Sequence, residues 1–596
     1  MLAVCAVLVL AVVAGVGVTR AYLPDPDAWT LLVGGAVTGT VLFHVIGLAT
    51  AWVWGLGGLS TGLTLGGLAA LTPGARGAWR WSRPSPAALV SAVGVMALCA
   101  WLGSSSVYHD AASNICSFSN NDYDLPLHIG LTESFYRQQN FPPQDIDYGG
   151  VRLAYHFLVD FGTAQWRWLG LELVPALQFD NIWGLWLTVA AMAWWTRQWT
   201  ADGRAASLAP WLLLLGGGTS IVLLWDESGG QWSRLVRLLG HLRHGYTLWD
   251  DWRWPNAIAL ILTQRPWLLA LPLLLWIVGT WWIALRAEPD RQTRIAVAAG
   301  LLTGGLPLAH VYCSLILLAA AAMLAWLLPC RRLWRVYLGT AVLAVILPLG
   351  WLLWNPNLHP RHLGWAPGWD ARGEDPITFW WHNLGLMPIC MLFALRRLPS
   401  LGRFILPFAL LFLAGNLFQV APWMWDNIKL LFPCFAVAVP LVAMATAALS
   451  RQARYGPAAA ALLGLLLIMS GSVECWRVGS RETQDCLYRK QDVEAAEAMS
   501  AVLPPRSVVV HRPDVHSVMY LCGTLGIVGL RNVLENRGLD PEPRTADVGR
   551  IYEGDVARAQ KYGAGWILEY PPYRVVLPGC QAVVTTSDLR LLKIVR

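Results

Sequence analysis

Two aspartates one residue apart and a histidine four positions further along, Asp122, Asp124 and His128, are the side chains of this sequence best suited to chemistry. Paired carboxylates can bind a divalent cation such as Mg²⁺ or Mn²⁺, or one group can act as a general base while its neighbour orients it. Residues 125–138 have helical periodicity, which brings His128 and Glu133 towards the carboxylates. A solvated acidic turn, with Asp124 as the N-cap of that helix, fits the spacing equally well. Asp122, Asp124 and His128 are therefore candidate catalytic residues, and Asp122 and Asp124 are also candidate metal ligands.

Ionisable residues also stand at the ends of apolar segments. Arg265 precedes one apolar run, His310 interrupts another, and Lys429 opens a third, three residues after Asp426. A charge at membrane depth is costly, so such residues usually face a polar cavity or a partner. The alternatives are that Lys429 extends to the lipid headgroups and that His310 forms a hydrogen bond between helices. Their shared placement with the acidic loop indicates one polar site.

The acidic loop, residues 104–177, carries further side chains that can bind a substrate. Asp110 lies near its start, and Tyr155 and His156 lie near its end. The full set of predicted binding residues is Asp110, Glu133, Tyr155, His156, Arg265, His310, Asp426 and Lys429.

The composition indicates which elements must position these side chains. Hydrophobic residues make up 56% of the 596 residues and charged residues 14%, whereas soluble domains have about 25% charged residues. Among the 35 tryptophans, neighbours such as Trp194 with Trp195 and Trp281 with Trp282 stand at the ends of apolar runs. Interfacial anchoring explains that placement, and a high-GC codon bias is the alternative explanation.

Apolar runs of about 20 residues, each able to cross about 30 Å of hydrocarbon, recur along the chain. They lie at residues 2–19, 29–54, 56–73, 87–103, 178–196, 207–225, 266–285, 295–309, 311–328, 335–354, 377–395, 404–420, 429–449 and 457–473. This pattern predicts a mainly α fold, a polytopic bundle of about 13–14 transmembrane helices.

Arginine marks alternate connectors between these spans. The connectors contain Arg76, Arg80, Arg83, Arg197, Arg204, Arg286, Arg291, Arg294, Arg331, Arg332, Arg335, Arg396, Arg397, Arg403, Arg451 and Arg454. The positive-inside rule assigns them to the cytoplasm. Residues 104–177, 226–265, 355–376 and everything after 474 then face outward, which predicts a multi-pass protein of the inner (plasma) membrane with its functional site outside.

The chain changes character near residue 480. Short β-rich pieces at residues 507–511, 566–570, 582–585 and 589–595 alternate with helical patterns at 492–502 and 547–561. We therefore predict two domains: a transmembrane domain, residues 1–479, and a small extracytoplasmic α/β domain, residues 480–596. The end of the chain carries Cys475, Cys486, Cys522 and Cys580, an even number in a compartment that permits disulfides, although the pairing stays open.

Several motifs resemble the GT-C class of membrane glycosyltransferases, in which a large first extracytoplasmic loop carries acidic catalytic residues. The segments that are similar to bacterial members are Asp122-Tyr-Asp124-Leu-Pro-Leu-His128, Asn140-Phe-Pro-Pro143, Leu153-Ala-Tyr155-His156, Gln264-Arg265-Pro266, Leu306-Pro-Leu-Ala-His310 and Trp425-Asp426-Asn427-Ile-Lys429. The similarity is spread over most of the chain. One difference is that about four spans precede the loop here, whereas the loop of the class follows its first transmembrane helix.

This resemblance implies that Asp122 or Asp124 is the acidic catalytic or metal-linked residue, and that Arg265, His310 and Lys429 contact the phosphate of a polyprenyl donor. The implied activity is inverting transfer of a sugar from a polyprenyl-phosphate-linked donor to a glycan, lipid or protein acceptor in the cell envelope. The implied partners are membrane lipid, the donor and the acceptor, and not nucleic acid.

Two other function classes fit the same pattern. A transporter or flippase of a polar lipid or glycan would use the same outward site for passage, but no internal repeat of the kind frequent in transporters is evident. A non-catalytic membrane scaffold would bind a partner through residues 480–596.

Overall fold

The structure is a computed structural model of the chain. It describes all residues except 120, 241, 243–253, 255, 354–363, 370, 372, 398, 422, 453, 483, 571–576 and 596. Parts of the predicted outward segments 226–265 and 355–376 therefore lie outside the described residues.

The chain is mainly α-helical, as predicted. The helices up to residue 480 are α1 (Leu2–Tyr22), α2 (Ala28–Trp54), α3 (Gly58–Leu71), α4 (Pro86–Ser105), α5 (Asp124–Tyr136), α6 (Leu158–Trp168), α7 (Leu173–Thr200), α8 (Gly203–Leu215), α9 (Ile221–Glu227), α10 (Trp232–Leu239), α11 (Ala257–Thr263), α12 (Trp267–Ala284), α13 (Pro289–Thr303), α14 (Leu306–Leu327), α15 (Arg331–Leu353), α16 (Pro376–Leu384), α17 (Met387–Arg397), α18 (Pro399–Leu417), α19 (Ile428–Leu449) and α20 (Gly456–Ser480). Short 3₁₀ turns lie at Thr72–Ala75 and Met424–Asn427.

Eight helices among the described residues are long and apolar enough to cross a membrane. They are α1, α2, α4, α12, α14, α15, α19 with the preceding turn, and α20. A ninth crossing results if α16 and α17, which meet at an angle of 94°, are one broken span. These helices confirm the prediction of a polytopic helical membrane protein.

Three of the predicted spans are interrupted in the structure, which accounts for part of the difference between the 13–14 predicted spans and the eight long apolar helices. The 56–73 segment forms the 14-residue α3 and a 3₁₀ turn. The 207–225 segment breaks after Leu215. Just beyond the break, the backbone at Gly218 lies so close to His382 that an added Cβ would be 1.7 Å from the His382 carbonyl oxygen. The 377–395 segment bends at Gly385, whose φ of +55° favours glycine. An apolar pattern alone does not show such breaks.

Several of the tryptophans that are expected at the membrane interface lie in the core instead. Trp194, Trp195 and Trp281 are fully buried, in the region where α7, α12 and α19 pack together. The indole N–H of Trp194 donates to Thr30 Oγ1 at 3.0 Å, and that of Trp195 donates to the Val437 carbonyl at 3.1 Å. Tryptophan therefore supplies volume and hydrogen bonds inside the bundle.

Short strands join the helices at one end of the bundle, here named the loop side. The strands up to residue 488 are β1 (Val107–His109), β2 (Ile115–Phe118), β3 (Gly364–Trp365), β4 (Phe418–Gln419) and β5 (Gln484–Tyr488). Strands β1, β2 and β5 form an antiparallel sheet in that order, and β3 pairs with β4. The loop between α4 and α7 is thereby paired with the chain segment that follows α20.

The C-terminal unit is a small α/β structure, which confirms that part of the predicted fold. Its elements are α21 (Lys490–Ser500), β6 (Val508–Val510), α22 (Val518–Cys522), β7 (Leu525–Gly526), α23 (Arg531–Asn536), α24 (Glu542–Tyr552), β8 (Trp566–Glu569), β9 (Cys580–Thr585) and β10 (Arg590–Ile594), with a 3₁₀ turn at Val556–Tyr562. The strand order is β7-β6-β8-β10-β9. Strand β6 pairs in parallel with β7 and β8, and β10 pairs antiparallel with β8 and β9.

This unit packs directly on the loop between α4 and α7. The Gly149 amide donates to the Gly526 carbonyl at 2.8 Å, and the Gly526 amide donates to the Ile146 carbonyl at 2.7 Å. At Gly523, where φ is +66°, a Cβ would lie 2.2 Å from the backbone of Glu133. Only a residue without a side chain permits that approach. The C-terminal unit and the acidic loop thus form one layer over the loop side of the bundle.

Candidate active site

Asp124 is the first residue of α5, and the preceding residue occupies the N-cap position. The Asp124 carboxylate therefore does not cap the helix, and it has no hydrogen-bond or ion-pair partner among the described residues. Burial raises the pKa of Asp124; the charges of Asp426 and Asp122 act in the same direction, and those of His128 and Lys429 oppose it. A carboxylate with a raised pKa is a stronger base, suited to accepting a proton from a hydroxyl group.

His128 lies one helical turn after Asp124 and points into the interior of the protein. Its Nδ1 is 2.9 Å and 3.0 Å from the two carboxylate oxygens of Asp160 in α6, and both side chains are fully buried. Its Nε2 has no partner among the described residues. With Nδ1–H donating to Asp160, Nε2 presents a lone pair, which is the arrangement of an oriented general base.

Arg265 lies next to this pair, in a fully buried ionic network. Its Nη2 is 3.3 Å from Asp180 Oδ2 and donates to Thr163 Oγ1 at 2.9 Å, while its Nη1 donates to the Asn181 side chain. Its Nε is 3.9 Å from Asp160 Oδ1. A buried guanidinium requires such anionic and hydrogen-bonding partners. Arg265 is thus engaged with protein groups and adjoins the carboxylate that orients His128.

Four rings form a continuous stack at the start of α14. Tyr155 stacks on His156 with 4.0 Å between ring centroids, His156 stacks on His310 at 4.8 Å, and His310 stacks on Trp267 at 3.8 Å. His310 interrupts α14 with φ −164° and ψ 105°. Its side chain is fully buried, and neither ring nitrogen has a partner among the described residues. Unpartnered buried polar atoms are rare in native structures, so these two nitrogens are candidates to contact a ligand.

Lys429 supplies a positive charge at the same place. Its Nζ is 3.0 Å from Asp426 Oδ1, and both side chains are nearly buried. The Lys429 charge acts on Asp124 and on His156, which places it within electrostatic reach of both. Burial lowers the pKa of His156, and the neighbouring His310 and Lys429 act in the same direction, so the His156 imidazole is neutral at physiological pH.

The C-terminal unit also contributes to the site, through α23 and the residue that follows it. Asn536 donates to Asp426 Oδ2 at 3.0 Å. The Arg537 guanidinium donates to Asp145 Oδ1 at 2.7 Å and lies 3.3 Å from Asp147 Oδ2. The same guanidinium lies over the Tyr155 ring, 5.3 Å from its centroid.

The structure therefore brings together a group of side chains from separate elements, named the loop-side cluster. It consists of Asp124, His128, Tyr155, His156, His310, Asp426 and Lys429. Asp122 lies two residues before Asp124 and remains partly exposed. A cavity of about 420 Å³ lies elsewhere, between α8, α17 and α19, and no predicted site residue lines it.

Besides Arg265, two further predicted binding residues lie outside the loop-side cluster. Glu133 is fully buried and accepts from Arg167 Nε at 2.9 Å and Nη2 at 3.1 Å, and it also pairs with Arg137. Asp110 closes the turn between β1 and β2, where its carboxylate accepts from the Ala112 and Asn114 amides. Both carboxylates are occupied by protein donors that stabilise local structure.

The sequence patterns assign no role to Asp160, Asp180, Asn536 or Arg537. A signal for Asp180 exists, because it is a charged residue inside the apolar span 178–196. The second Asp-x-Asp pair, Asp145 and Asp147, resembles Asp122 and Asp124 in spacing, but its carboxylates are held by Arg537. Spacing alone does not distinguish an occupied pair from one that is free for substrate.

A metal site at Asp122 and Asp124 stays a prediction. Their donor set, carboxylate oxygens with Asp124 free of protein donors, fits a hard cation such as Mg²⁺ or Mn²⁺. One group of three potential ligands whose donor atoms lie within 4.8 Å of one another is found among the described residues, and it consists of Asp110, Cys116 and Cys486.

No protein-family model matches the chain, and no curated protein matches it. Among solved structures, the chain is similar to the apo oligosaccharyltransferase of Archaeoglobus fulgidus, with 13% identity and a TM-score of 0.49 over 81% of this chain and 69% of that one. It is also similar to that organism's oligosaccharyltransferase AglB in complex with an inhibitory peptide and a dolichol-phosphate, with 12% identity and a TM-score of 0.42 over 80% and 69% of the two chains.

A further similar structure is ArnT from Cupriavidus metallidurans bound to undecaprenyl phosphate, with 11% identity and a TM-score of 0.45 over 85% of this chain and 98% of that one. These proteins are GT-C membrane glycosyltransferases, the class that the sequence motifs of this chain resemble.

Proposed function

We propose that this membrane protein is a glycosyltransferase that moves a sugar from a polyprenyl-phosphate-linked donor to an acceptor on the non-cytoplasmic side. The observation that carries the proposal is the loop-side cluster. It combines an unpartnered carboxylate at Asp124, an oriented imidazole at His128, an unpartnered buried imidazole at His310 and the Lys429 ammonium. These are the groups needed to activate a hydroxyl and to stabilise a departing phosphate.

Asp124 is proposed as the general base. The acceptor hydroxyl attacks the anomeric carbon, its proton passes to the Asp124 carboxylate, and the bond between the anomeric carbon and the phosphate oxygen breaks. Attack opposite to the leaving phosphate in a single displacement inverts the anomeric configuration. Burial of Asp124 raises its pKa and thereby strengthens it as a base.

Lys429 and His310 are proposed to contact the lipid phosphate. The Lys429 ammonium is held at 3.0 Å from Asp426, so its position is defined before substrate arrives. The two unpartnered ring nitrogens of His310 offer a hydrogen-bond donor and an acceptor at the start of α14. Donors that are positioned in advance stabilise developing negative charge without reorganisation during the reaction.

His128, Asp160 and Arg265 are proposed as a second, supporting set. Asp160 orients the His128 ring. The Arg265 guanidinium lies 3.9 Å from Asp160 and pairs with Asp180. The resemblance to the GT-C class implies phosphate contact for Arg265, whereas its existing partners favour a positioning role. The alternative role for Asp122 and Asp124 is to hold Mg²⁺ or Mn²⁺; the cation would then neutralise phosphate charge, and Asp124 would not be the base.

Transfer can be tested in membranes that contain the full chain, supplied with a panel of polyprenyl-phosphate sugars labelled in the sugar. The expected result is acceptor-dependent transfer of the label from the lipid to the acceptor, with a loss of about 100-fold or more for Asp124→Asn. Glu172→Gln is the matched control, because Glu172 is an exposed loop carboxylate without a capping bond, and it should stay within about twofold of the unmodified protein.

Full transfer by both Asp124→Asn and Asp122→Asn would overturn the catalytic assignment. Movement of the labelled lipid across reconstituted vesicles without any acceptor, and without sugar transfer, would instead identify a transporter. Loss of the phenotype on removal of 480–596, with every residue of the loop-side cluster dispensable, would identify a scaffold.

A further inference from the structure

Strand β2 in the acidic loop pairs antiparallel with β5, which follows the last bundle helix. The register places Cys116 directly opposite Cys486, although almost the whole helix bundle separates them in the chain. Directly opposed residues in an antiparallel pair have Cα atoms about 4.5–5.5 Å apart, which lies within the range of about 4.4–6.8 Å found across disulfides. The backbone therefore already has the spacing that a disulfide needs.

The two thiols also face each other. The sulfur atoms of Cys116 and Cys486 and the carboxylate of Asp110 lie within 4.8 Å of one another. Cys486 Sγ is 3.9 Å from Asp110 Oδ2. Side-chain rotation is sufficient to bring the two sulfur atoms together, since both stand on the same face of the sheet.

The Asp110 carboxylate argues against a metal at this place. It accepts from the Ala112 amide at 2.8 Å, the Asn114 amide at 2.9 Å and the Asn114 side-chain amide at 2.9 Å. A structural zinc site usually has four ligands, most of them cysteine or histidine. Two thiols and one carboxylate already engaged by three donors match a thiol pair better than a zinc centre.

We propose that Cys116 and Cys486 form a disulfide that joins the acidic loop to the segment after α20. The proposal requires these strands to face an oxidising compartment. It therefore depends on the same membrane orientation as the proposed function, but it does not depend on sugar transfer. The bond would fix the chain a few residues before Asp122 and Asp124, because β2 ends at Phe118.

The exposure of the two thiols determines which of them reacts first with an oxidant. Cys486 is exposed and Cys116 is buried, and burial raises the pKa of Cys116. The Cys486 thiolate attacks the disulfide of an oxidising thiol–disulfide exchange protein, which forms a mixed disulfide and releases one thiolate of that protein. Cys116 then loses its proton and displaces the second thiol. In total two protons and two electrons leave this chain, and the exchange protein becomes a dithiol.

The other cysteines near the C-terminus lack this arrangement. Cys475 and Cys522 are buried, and their thiols lie near the backbone carbonyls of Leu214 and Ala496, at 3.8 Å and 3.6 Å. Cys522 provides the control residue, because it is a thiol of the same C-terminal segment with its own backbone partner.

The test uses the full chain in membranes prepared without reductant. Free thiols are alkylated with N-ethylmaleimide in denaturant, the protein is digested, and peptides are compared by mass spectrometry with and without reduction. The expected result is a peptide pair joining Cys116 to Cys486 that disappears on reduction. Of the eleven cysteines, two are then linked and the other nine are alkylated.

Single variants provide a second measurement. Cys116→Ser and Cys486→Ser should each make the other thiol alkylatable without reductant, whereas Cys522→Ser should keep the linked peptide. Alkylation of both Cys116 and Cys486 in the unreduced protein would overturn the proposal, and so would one equivalent of zinc released when both thiols are modified. If both thiols are free in the unreduced protein and that protein still transfers sugar, the disulfide is overturned and the proposed function stands.

Discussion

At the scale of single residues, the carboxylates of the acidic loop differ in their partners. Glu133, Asp145 and Asp147 are each paired with arginine. Asp124 has no such partner among the described residues, and its pKa is raised by burial. The oxygens of a carboxylate that is paired with arginine are occupied by guanidinium donors and are not free to contact a substrate hydroxyl. The contrast is the reason for assigning the base to Asp124.

The raised pKa of Asp124 predicts the pH dependence of transfer. The carboxylate must be deprotonated to act, so kcat/KM should be full above its pKa and fall as the pH decreases through it. Because that pKa is raised, the fall should begin at a higher pH than for an ordinary aspartate. The profile of kcat/KM against pH measures this. An acidic limb that persists unchanged in the residual activity of Asp124→Asn would assign the titration to another group.

Asp160→Asn should reduce kcat by about 100-fold or more, because an amide can hold His128 in the wrong tautomer. KM should change little, since Asp160 is fully buried and acts through His128. Steady-state kinetics measure both parameters, with the exposed Asp588→Asn as control. An unchanged kcat in folded Asp160→Asn protein would remove the His128–Asp160 pair from the mechanism.

Chelation tests the predicted metal at Asp122 and Asp124. If these carboxylates hold a hard cation that neutralises the donor phosphate, treatment with EDTA should abolish transfer and Mg²⁺ or Mn²⁺ should restore it. The assay is sugar transfer before treatment, after treatment and after addition of each metal. Full activity at saturating chelator would show that Lys429 and His310 supply the charge stabilisation without a metal.

At the scale of elements, α23 and the residue after it connect the C-terminal unit to the acidic loop. Arg537 is nearly buried and neutralises Asp145 and Asp147, and Asn536 donates to Asp426 beside Lys429. Removing one partner of a buried ionic group leaves an uncompensated charge. This short element therefore links the stability of the loop layer to the geometry of the loop-side cluster.

Arg537→Ala should destabilise the protein by about 3–5 kcal/mol, because it leaves two buried carboxylates without a cation. Arg531→Ala is the matched control at the start of α23, the helix that Arg537 follows: Arg531 is exposed, and its loss should cost less than about 1 kcal/mol. Thermal unfolding of the full chain in detergent measures both. Equal Tm values for the two variants would contradict a structural role for the Arg537 network.

At the scale of the whole molecule, the loop-side cluster and the C-terminal unit share one end of a bundle of apolar helices. The arginine connectors lie between the other helix ends. The positive-inside rule predicts that the arginines lie in the cytoplasm and the cluster outside. A lipid-linked donor fits this arrangement, since its tail can remain between helices while its phosphate reaches the polar end.

Labelling of introduced cysteines tests this orientation. A membrane-impermeant maleimide applied to intact cells should modify Glu172→Cys and Asp588→Cys and spare Arg76→Cys and Arg451→Cys. Protein without an introduced cysteine gives the background from native thiols, and permeabilised cells show that the spared positions can react. The reverse labelling pattern would place the proposed site in the cytoplasm and contradict both proposals.

The sequence by itself determined the class of protein and the residues worth examining. Hydrophobicity is a property of each segment, so the apolar runs predict membrane helices, and the β-rich composition of short pieces predicts strands of the C-terminal unit. The cost of burying charge singles out Arg265, His310 and Lys429 in the same way. Such inferences need no knowledge of which segments meet.

Only the tertiary structure decided the partners. It paired His128 with Asp160, placed Arg265 against Asp180, brought Arg537 to Asp145 and Asp147, and set Cys116 opposite Cys486. It also divided apolar runs that the pattern predicts to be continuous, as at Gly218. The physical reason is that a carboxylate or thiol has the same local sequence signal whether it is free or occupied. Its state depends on groups that packing brings from distant parts of the chain.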